Sequence, residues 1–207
     1  MQGPLLVCLA LASARAGELE ALVRDSAGKP LADAVVFVDE TPAAPPAPPA
    51  EPAVMDQVGQ EFVPHVLPVV AGTRLRFPNK DKVHHQIFSF SPAKKFELPL
   101  YKDEPPPLLL DKTGAIKLGC NIHDWMRAYV LVLATPHFAK TGADGIARLK
   151  DLPEGTRKLA VWHERVKGGT DAARATAEVG ANITRVTLTP KLGPPVRKPN
   201  RPLASEY

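Results

Sequence analysis

The chain has little cysteine: two residues in 207, Cys8 and Cys120. A disulfide framework, a multi-cysteine zinc module and an iron–sulfur protein are therefore excluded. It also lacks a long hydrophobic run. The apolar stretch at 4–12, PLLVCLALA, is nine residues, whereas a bilayer needs about 20. No amphipathic helix of more than one turn can be read anywhere. A basic cluster on a folded segment is missing too. The net charge of +4 rests largely on 191–207, where Lys191, Arg197, Lys198 and Arg201 face only Glu206. That pattern is a solvated basic tail and excludes a nucleic-acid footprint.

Proline, in contrast, is abundant, with 23 residues, about twice the usual share, which argues against a helical bundle. Apolar residues make up 44% and charged residues 23%, as in a folded globule. The short run at 4–12 is followed by Ala14-Arg15-Ala16, a small-x-small pattern before Gly17. It reads as an export signal, residues 1–16, cleaved after Ala16. Such signals ordinarily open with a positive charge, and none precedes this run. A lipid anchor on Cys8 competes with that reading, but Val7 stands where a small residue is expected. After cleavage Cys120 is the one cysteine left. An unpaired thiol in an oxidising compartment needs a role.

The rest of the chain predicts an all-β fold built from β-sandwiches. Leu19, Ala21 and Val23 alternate with polar residues, Asp25 to Pro30 is turn chemistry, and Ala34 to Val38 is strongly β-prone. Residues 41–53 hold six prolines in thirteen positions and form an extended linker. Strands are predicted at 62–70, 73–77, 83–90, 114–119 and 128–134. Further strands are predicted at 146–149 and 158–162, and near 174–180 and 183–189.

Chemistry concentrates in Cys120-Asn121-Ile122-His123-Asp124-Trp125-Met126. Thiolate, imidazole and thioether at spacings of three and three fit one tight loop between a strand ending at Lys117-Leu118-Gly119 and the returning strand from Ala128. Such a loop can turn all three donor atoms to one point. A second imidazole is offered by Val83-His84-His85-Gln86. Two imidazoles, a thiolate and a weak axial thioether are the ligands of a blue-copper electron-transfer centre. Zinc prefers a fourth Cys, His or carboxylate and gains little from Met126. Adjacent residues on a strand point to opposite sides, so only one of His84 and His85 can be a ligand. Taken singly, a lone Cys is usually a small buried hydrophobe and a Met at a strand start is usually core. Their joint spacing carries the metal reading. His65, His137 and His163 lack a partner at ligand spacing and are structural or surface residues. Trp125 either shields the metal or packs beneath the loop. A Cys–His nucleophile pair also needs an oxyanion hole and an orienting third group, and neither is visible.

The motif Cys120-x-x-His123-x-x-Met126 resembles the ligand loop of the cupredoxins, with the short spacing of amicyanin. Phe77-Pro78-Asn79-Lys80-Asp81-Lys82-Val83-His84-His85 resembles the plastocyanin and amicyanin segment in which Asn precedes the first histidine ligand by six residues, which lands on His85. Phe62-Val63-Pro64 and Val69-Val70-Ala71-Gly72 resemble the strand leading into it. The resemblance covers about 54–134 and is closest to bacterial plastocyanin-like proteins often labelled methylamine utilisation proteins. It implies a Greek-key sandwich, one type 1 copper ion and the ligand set His85, Cys120, His123 and Met126. Gln86 stands where those proteins usually carry Asn. Gly17 to Glu40 resembles the first hairpin of a carboxypeptidase-regulatory-like (transthyretin-like) sandwich and Thr141 to Trp162 its later part. This implies a module of 17–40 plus 135–190 split by the copper domain at 54–134; the alternative is that these strands extend the copper sandwich itself.

The resulting expectation is a periplasmic electron carrier, not an enzyme. Its partners would be redox proteins, a cytochrome or a dehydrogenase, with no nucleic acid and no transmembrane segment after signal cleavage. Copper capture or delivery, and a metal-free structural or carbohydrate-facing sandwich, are the rival readings.

Overall fold

The computed structural model describes residues 16–166 and 173–196; most of the expected signal and the end of the basic tail lie outside them. The fold is all-β, and no helix occurs among the described residues. Leu19, Ala21 and Val23 all point inward from β1 (Ala16–Val23), as their alternation requires. Asp25 then closes the first turn: its Oδ1 accepts the N–H groups of Ala27 and Lys29, each at 2.9 Å. The chain returns as β2 (Val35–Val38), whose residues are buried on both faces.

Residues 53–133 build one sandwich. Its strands are β3 (Ala53–Val54), β4 (Asp56–Gln57), β5 (Phe62–Val63), β6 (Val66–Val70), β7 (Thr73–Arg76), β8 (Ile87–Ser91), β9 (Lys94–Glu97), β10 (Leu108–Leu110), β11 (Gly114–Cys120) and β12 (Arg127–Leu133). A five-stranded sheet, ordered β6-β12-β11-β8-β9, faces a three-stranded sheet, β10-β7-β3, with β4 and β5 paired beside them. The core between them includes Met55, Phe77, Ile87, Leu118, Met126 and Val130.

The second sandwich uses β1, β2, β13 (Phe138–Lys140), β14 (Ile146–Pro153), β15 (Gly155–Trp162), β16 (Arg174–Val179) and β17 (Thr184–Leu188). Its sheets run β14-β1-β17 and β13-β2-β15-β16. The core holds Leu19, Val36, Leu149, Leu159 and Leu188, so it draws on chain from both sides of the first sandwich. Three continuous apolar runs explain how the sandwiches meet. In β12, Ala128, Val130 and Val132 fill the first core, while Tyr129, Leu131 and Leu133 face out. In β2 and β15, Val36, Val38, Leu159 and Val161 fill the second core, while Val35, Phe37, Ala160 and Trp162 face out. The outward residues pack on one another as a third cluster. Both faces of these strands are buried, which is why they read as unbroken hydrophobic runs.

Some expected elements shift. The strand at 62–70 is interrupted at Pro64 and His65, where proline has no N–H for a ladder. Pro68 is tolerated because β6 is a sheet edge. The strand at 83–90 begins only at Ile87, and His85 instead forms an isolated bridge with Tyr101. Strands β3, β4, β9, β10 and β13 are not predicted from the sequence. Each is a short sheet edge, where a few residues pair on one side only and leave little pattern.

Gly145 closes the second core at a left-handed φ of 72°. A Cβ there would lie 2.7 Å from the Val23 carbonyl oxygen and 3.0 Å from Cβ of Pro30. Strain and clash add, so Gly145→Ala is expected to lower unfolding free energy by roughly 2–3 kcal/mol. Urea denaturation of the two proteins checks this.

Candidate metal centre

Cys120 ends β11, where it pairs with Ile87 of β8. The next six residues form the turn into β12. Two backbone hydrogen bonds shape it: Met126 N–H donates to the His123 carbonyl at 2.9 Å, and Asn121 N–H donates to the Gln86 carbonyl at 3.1 Å. The second bond ties this turn to the segment that carries His85.

The side chains converge. Cys120 Sγ lies 3.8 Å from Nδ1 of His85 and 3.5 Å from Nδ1 of His123. The imidazole centroids are 4.9 Å apart with planes at 55°. These three are the one cluster of His, Cys, Asp or Glu suited to a metal among the described residues, with ligand atoms within 4.8 Å of one another. All are buried, His85 completely. Met126, also buried, belongs to the same core cluster as Cys120 and Ile87. Met126 and Cys120 help line a surface cleft of about 610 Å³ whose walls include Phe88 and Phe90. Two imidazole nitrogens turned toward one thiol sulfur, in an apolar shell, fit a copper ion by donor type.

Electrostatics favour the ligating state of the sulfur. Burial pushes the Cys120 thiol up, but contacts from His85 and from the backbone N–H groups of Gln86 and Ile122 outweigh it and leave its pKa lowered. Burial opposes charge on His85 as well. Its contacts with Cys120 and Asp81 prevail, and its pKa is raised.

The neighbouring residues sort themselves plainly. His84 is exposed while His85 is buried, and the cluster contains His85 rather than His84. Trp125 packs its ring against His123 at a centroid distance of 5.2 Å with the planes at 60°, and Nε1–H donates to the Gln60 carbonyl at 3.1 Å. It is 5% exposed, so it packs within the core beside the loop. Asn79 shapes the approach to His85: Oδ1 accepts Asp81 N–H at 3.0 Å, and Nδ2 donates to the Val83 carbonyl at 2.9 Å. The side chain of Gln86 donates to Glu97 at 2.9 Å, and that of Asn121 donates to the same Glu97 oxygen at 3.1 Å. Glu97 thus joins the two ligand-bearing segments through their flanking amides.

His65 and His163 lie elsewhere. His65 contacts the Arg127 carbonyl and Glu164. His163 is buried, and desolvation lowers its pKa. His137 is half-buried. None of them belongs to the metal-suited cluster.

Asp81 was not singled out from the sequence. Its Oδ2 lies 2.8 Å from His85 Nε2. The only hint in the sequence is an acid four residues before the histidine, which is too common to be diagnostic.

No protein-family model and no curated protein matches the chain. Solved structures similar to part of this chain include the Cu-containing nitrite reductase of Thermus scotoductus SA-01, at 24% identity over 45% of this chain with a TM-score of 0.39. The matched part spans 26% of that reductase. The purple cupredoxin of Nitrosopumilus maritimus is 23% identical over 39% of this chain and 99% of its own, with a TM-score of 0.35. A reduced Cu(I) amicyanin variant is 18% identical over 47% of this chain and 98% of its own, with a TM-score of 0.37.

Proposed function

We propose that this chain is an exported type 1 copper protein, acting in the periplasm, that carries single electrons between redox partners and performs no catalysis of its own. The observation that carries the reading is the pair of imidazole Nδ1 atoms, 3.8 and 3.5 Å from one buried thiol sulfur. A bound copper ion would supply a one-electron Cu(II)/Cu(I) couple. His85, Cys120 and His123 would hold it, and Met126, buried in the same turn, would offer a thioether as a weak fourth donor.

What the chain contributes is rigidity. Cys120 sits on a paired strand, His85 is bridged to Tyr101 on both backbone sides, and the 120–126 turn is closed by its own hydrogen bond. Donors fixed in this way reorganise little when charge changes. His123 lies beside Ile122, which is 46% exposed. We place the electron exit at His123 and the docking of a cytochrome or dehydrogenase on the apolar surface around it. Residues 17–40 and 135–190 serve in this reading as a scaffold. Among the described residues, no helix is long and apolar enough to cross a membrane.

The test is reversible one-electron cycling of copper-loaded protein at an electrode and electron transfer to a cytochrome. Fast, reversible cycling with retained copper supports the reading. Metal lost readily to a chelator, with no transfer, assigns the chain to copper delivery. Copper binds the folded state alone, so it should also stabilise. A saturating equivalent is expected to raise Tm by roughly 5–10 °C, and a chelator should reverse the gain.

A further inference from the structure

The imidazole of His85 has two nitrogens, and the structure gives each a different neighbour. Nδ1 faces Cys120 Sγ at 3.8 Å, while Nε2 lies 2.8 Å from Oδ2 of Asp81. Asp81 is itself held on both oxygens. Its Oδ1 accepts the Gly59 N–H at 2.5 Å and its Oδ2 accepts the Gln60 N–H at 2.8 Å. Gln60 then reaches the other ligand segment, because its carbonyl accepts the Trp125 indole N–H. The turn that makes this possible is itself special: Gly59 and Gln60 both adopt left-handed φ, 62° and 57°.

We propose that Asp81 is a positioning residue that fixes His85 as an Nδ1 donor and, through the Gly59–Gln60 turn, couples it to the Cys120–Met126 loop. A carboxylate beside Nε2 accepts a hydrogen bond from an Nε2–H, so the ring proton stays on Nε2 and the Nδ1 lone pair is left for the metal. Such outer partners orient a ligating histidine and raise its basicity. Two backbone N–H groups and the His85 ring surround the Asp81 carboxylate. An anion so close to the centre favours the higher-charged metal state.

This inference rests on the copper reading for its consequence, but its geometry can be tested without metal. Long-range proton–nitrogen correlations on the metal-free protein at alkaline pH, where imidazoles are neutral, report the tautomer of His85. The Nε2–H form is expected, since Asp81 is the nearer partner; the Nδ1–H form overturns the assignment. Copper loading of Asp81→Asn supplies the second arm. Cu(II) affinity is expected to fall about tenfold with a rise in reduction potential, while the thiolate–copper band persists. Unchanged affinity and potential, with only a lowered Tm, reduce Asp81 to a turn cap and sink the proposal. If wild type shows no thiolate–copper band at all, the copper reading fails. The tautomer then decides the positioning role alone, as it does if the variant does not fold.

Discussion

Cys120→Ser is expected to remove completely the intense visible absorption that the proposed copper-loaded protein should show. The band expected of this centre arises from charge transfer between a thiolate and Cu(II), and Cys120 is the single cysteine among the described residues. Serine keeps the size of the side chain but offers a hydroxyl that stays protonated at neutral pH, so both the charge and the soft donor vanish together. The surrounding geometry should survive. Cys120 contributes one small buried side chain to a core that also holds Ile87, Leu118 and Trp125, and metal-free Cys120→Ser is expected to lose no more than about 1–2 kcal/mol. An absorption titration with Cu(II), run beside urea denaturation of the metal-free proteins, separates loss of the ligand from loss of the fold. Persistence of the band in a folded variant would mean that another group binds the metal.

His85→Ala and His84→Ala should differ almost as sharply. His85 is fully buried between Cys120 and Asp81. Truncating it removes a donor, opens a void and leaves the Asp81 carboxylate without its imidazole partner. The thiolate–copper band should disappear, and metal-free stability should drop by about 2–4 kcal/mol. His84 is exposed. Its removal should leave the band intact and stability within about 0.5 kcal/mol of wild type. The opposite outcome would show that the histidine register is wrong. The same spectra and denaturation curves read out both variants.

How much of this was legible in the sequence differs by residue, for physical reasons. Cys120 and His123 lie within one turn, so their convergence follows from spacing, and Met126 ends the same turn as a buried core residue. His85 is 35 positions away, and only its Asn-led segment marked it; its neighbour His84 has the same chemistry and differs in the direction it points. Of the long strands, β14 and β15 are legible only over 146–149 and 158–162, whereas β1 and β11 announce themselves by alternation and β12 by an unbroken apolar run. The edge strands β9, β10 and β13 do not, since a Lys-Lys-Phe-Glu edge has little to bury. The contact between the sandwiches is a third case. Val35, Tyr129 and Trp162 are plainly apolar in the sequence, but that their faces meet depends on how both sheets are placed. Asp81 and Glu97 are least legible. They act through hydrogen bonds between segments distant in sequence, and an exposed-looking acid carries no signature of that role.

The account turns on whether the cluster of His85, Cys120 and His123 holds a copper ion. Titration of the metal-free wild-type protein with Cu(II), followed by visible absorption and electron paramagnetic resonance, tests it most directly. One equivalent should saturate an intense visible thiolate-to-copper band, accompanied by the narrow copper hyperfine splitting of a strongly covalent Cu–S bond. Weak absorption with wide hyperfine splitting, or saturation only at several equivalents, would contradict the assignment of a type 1 centre.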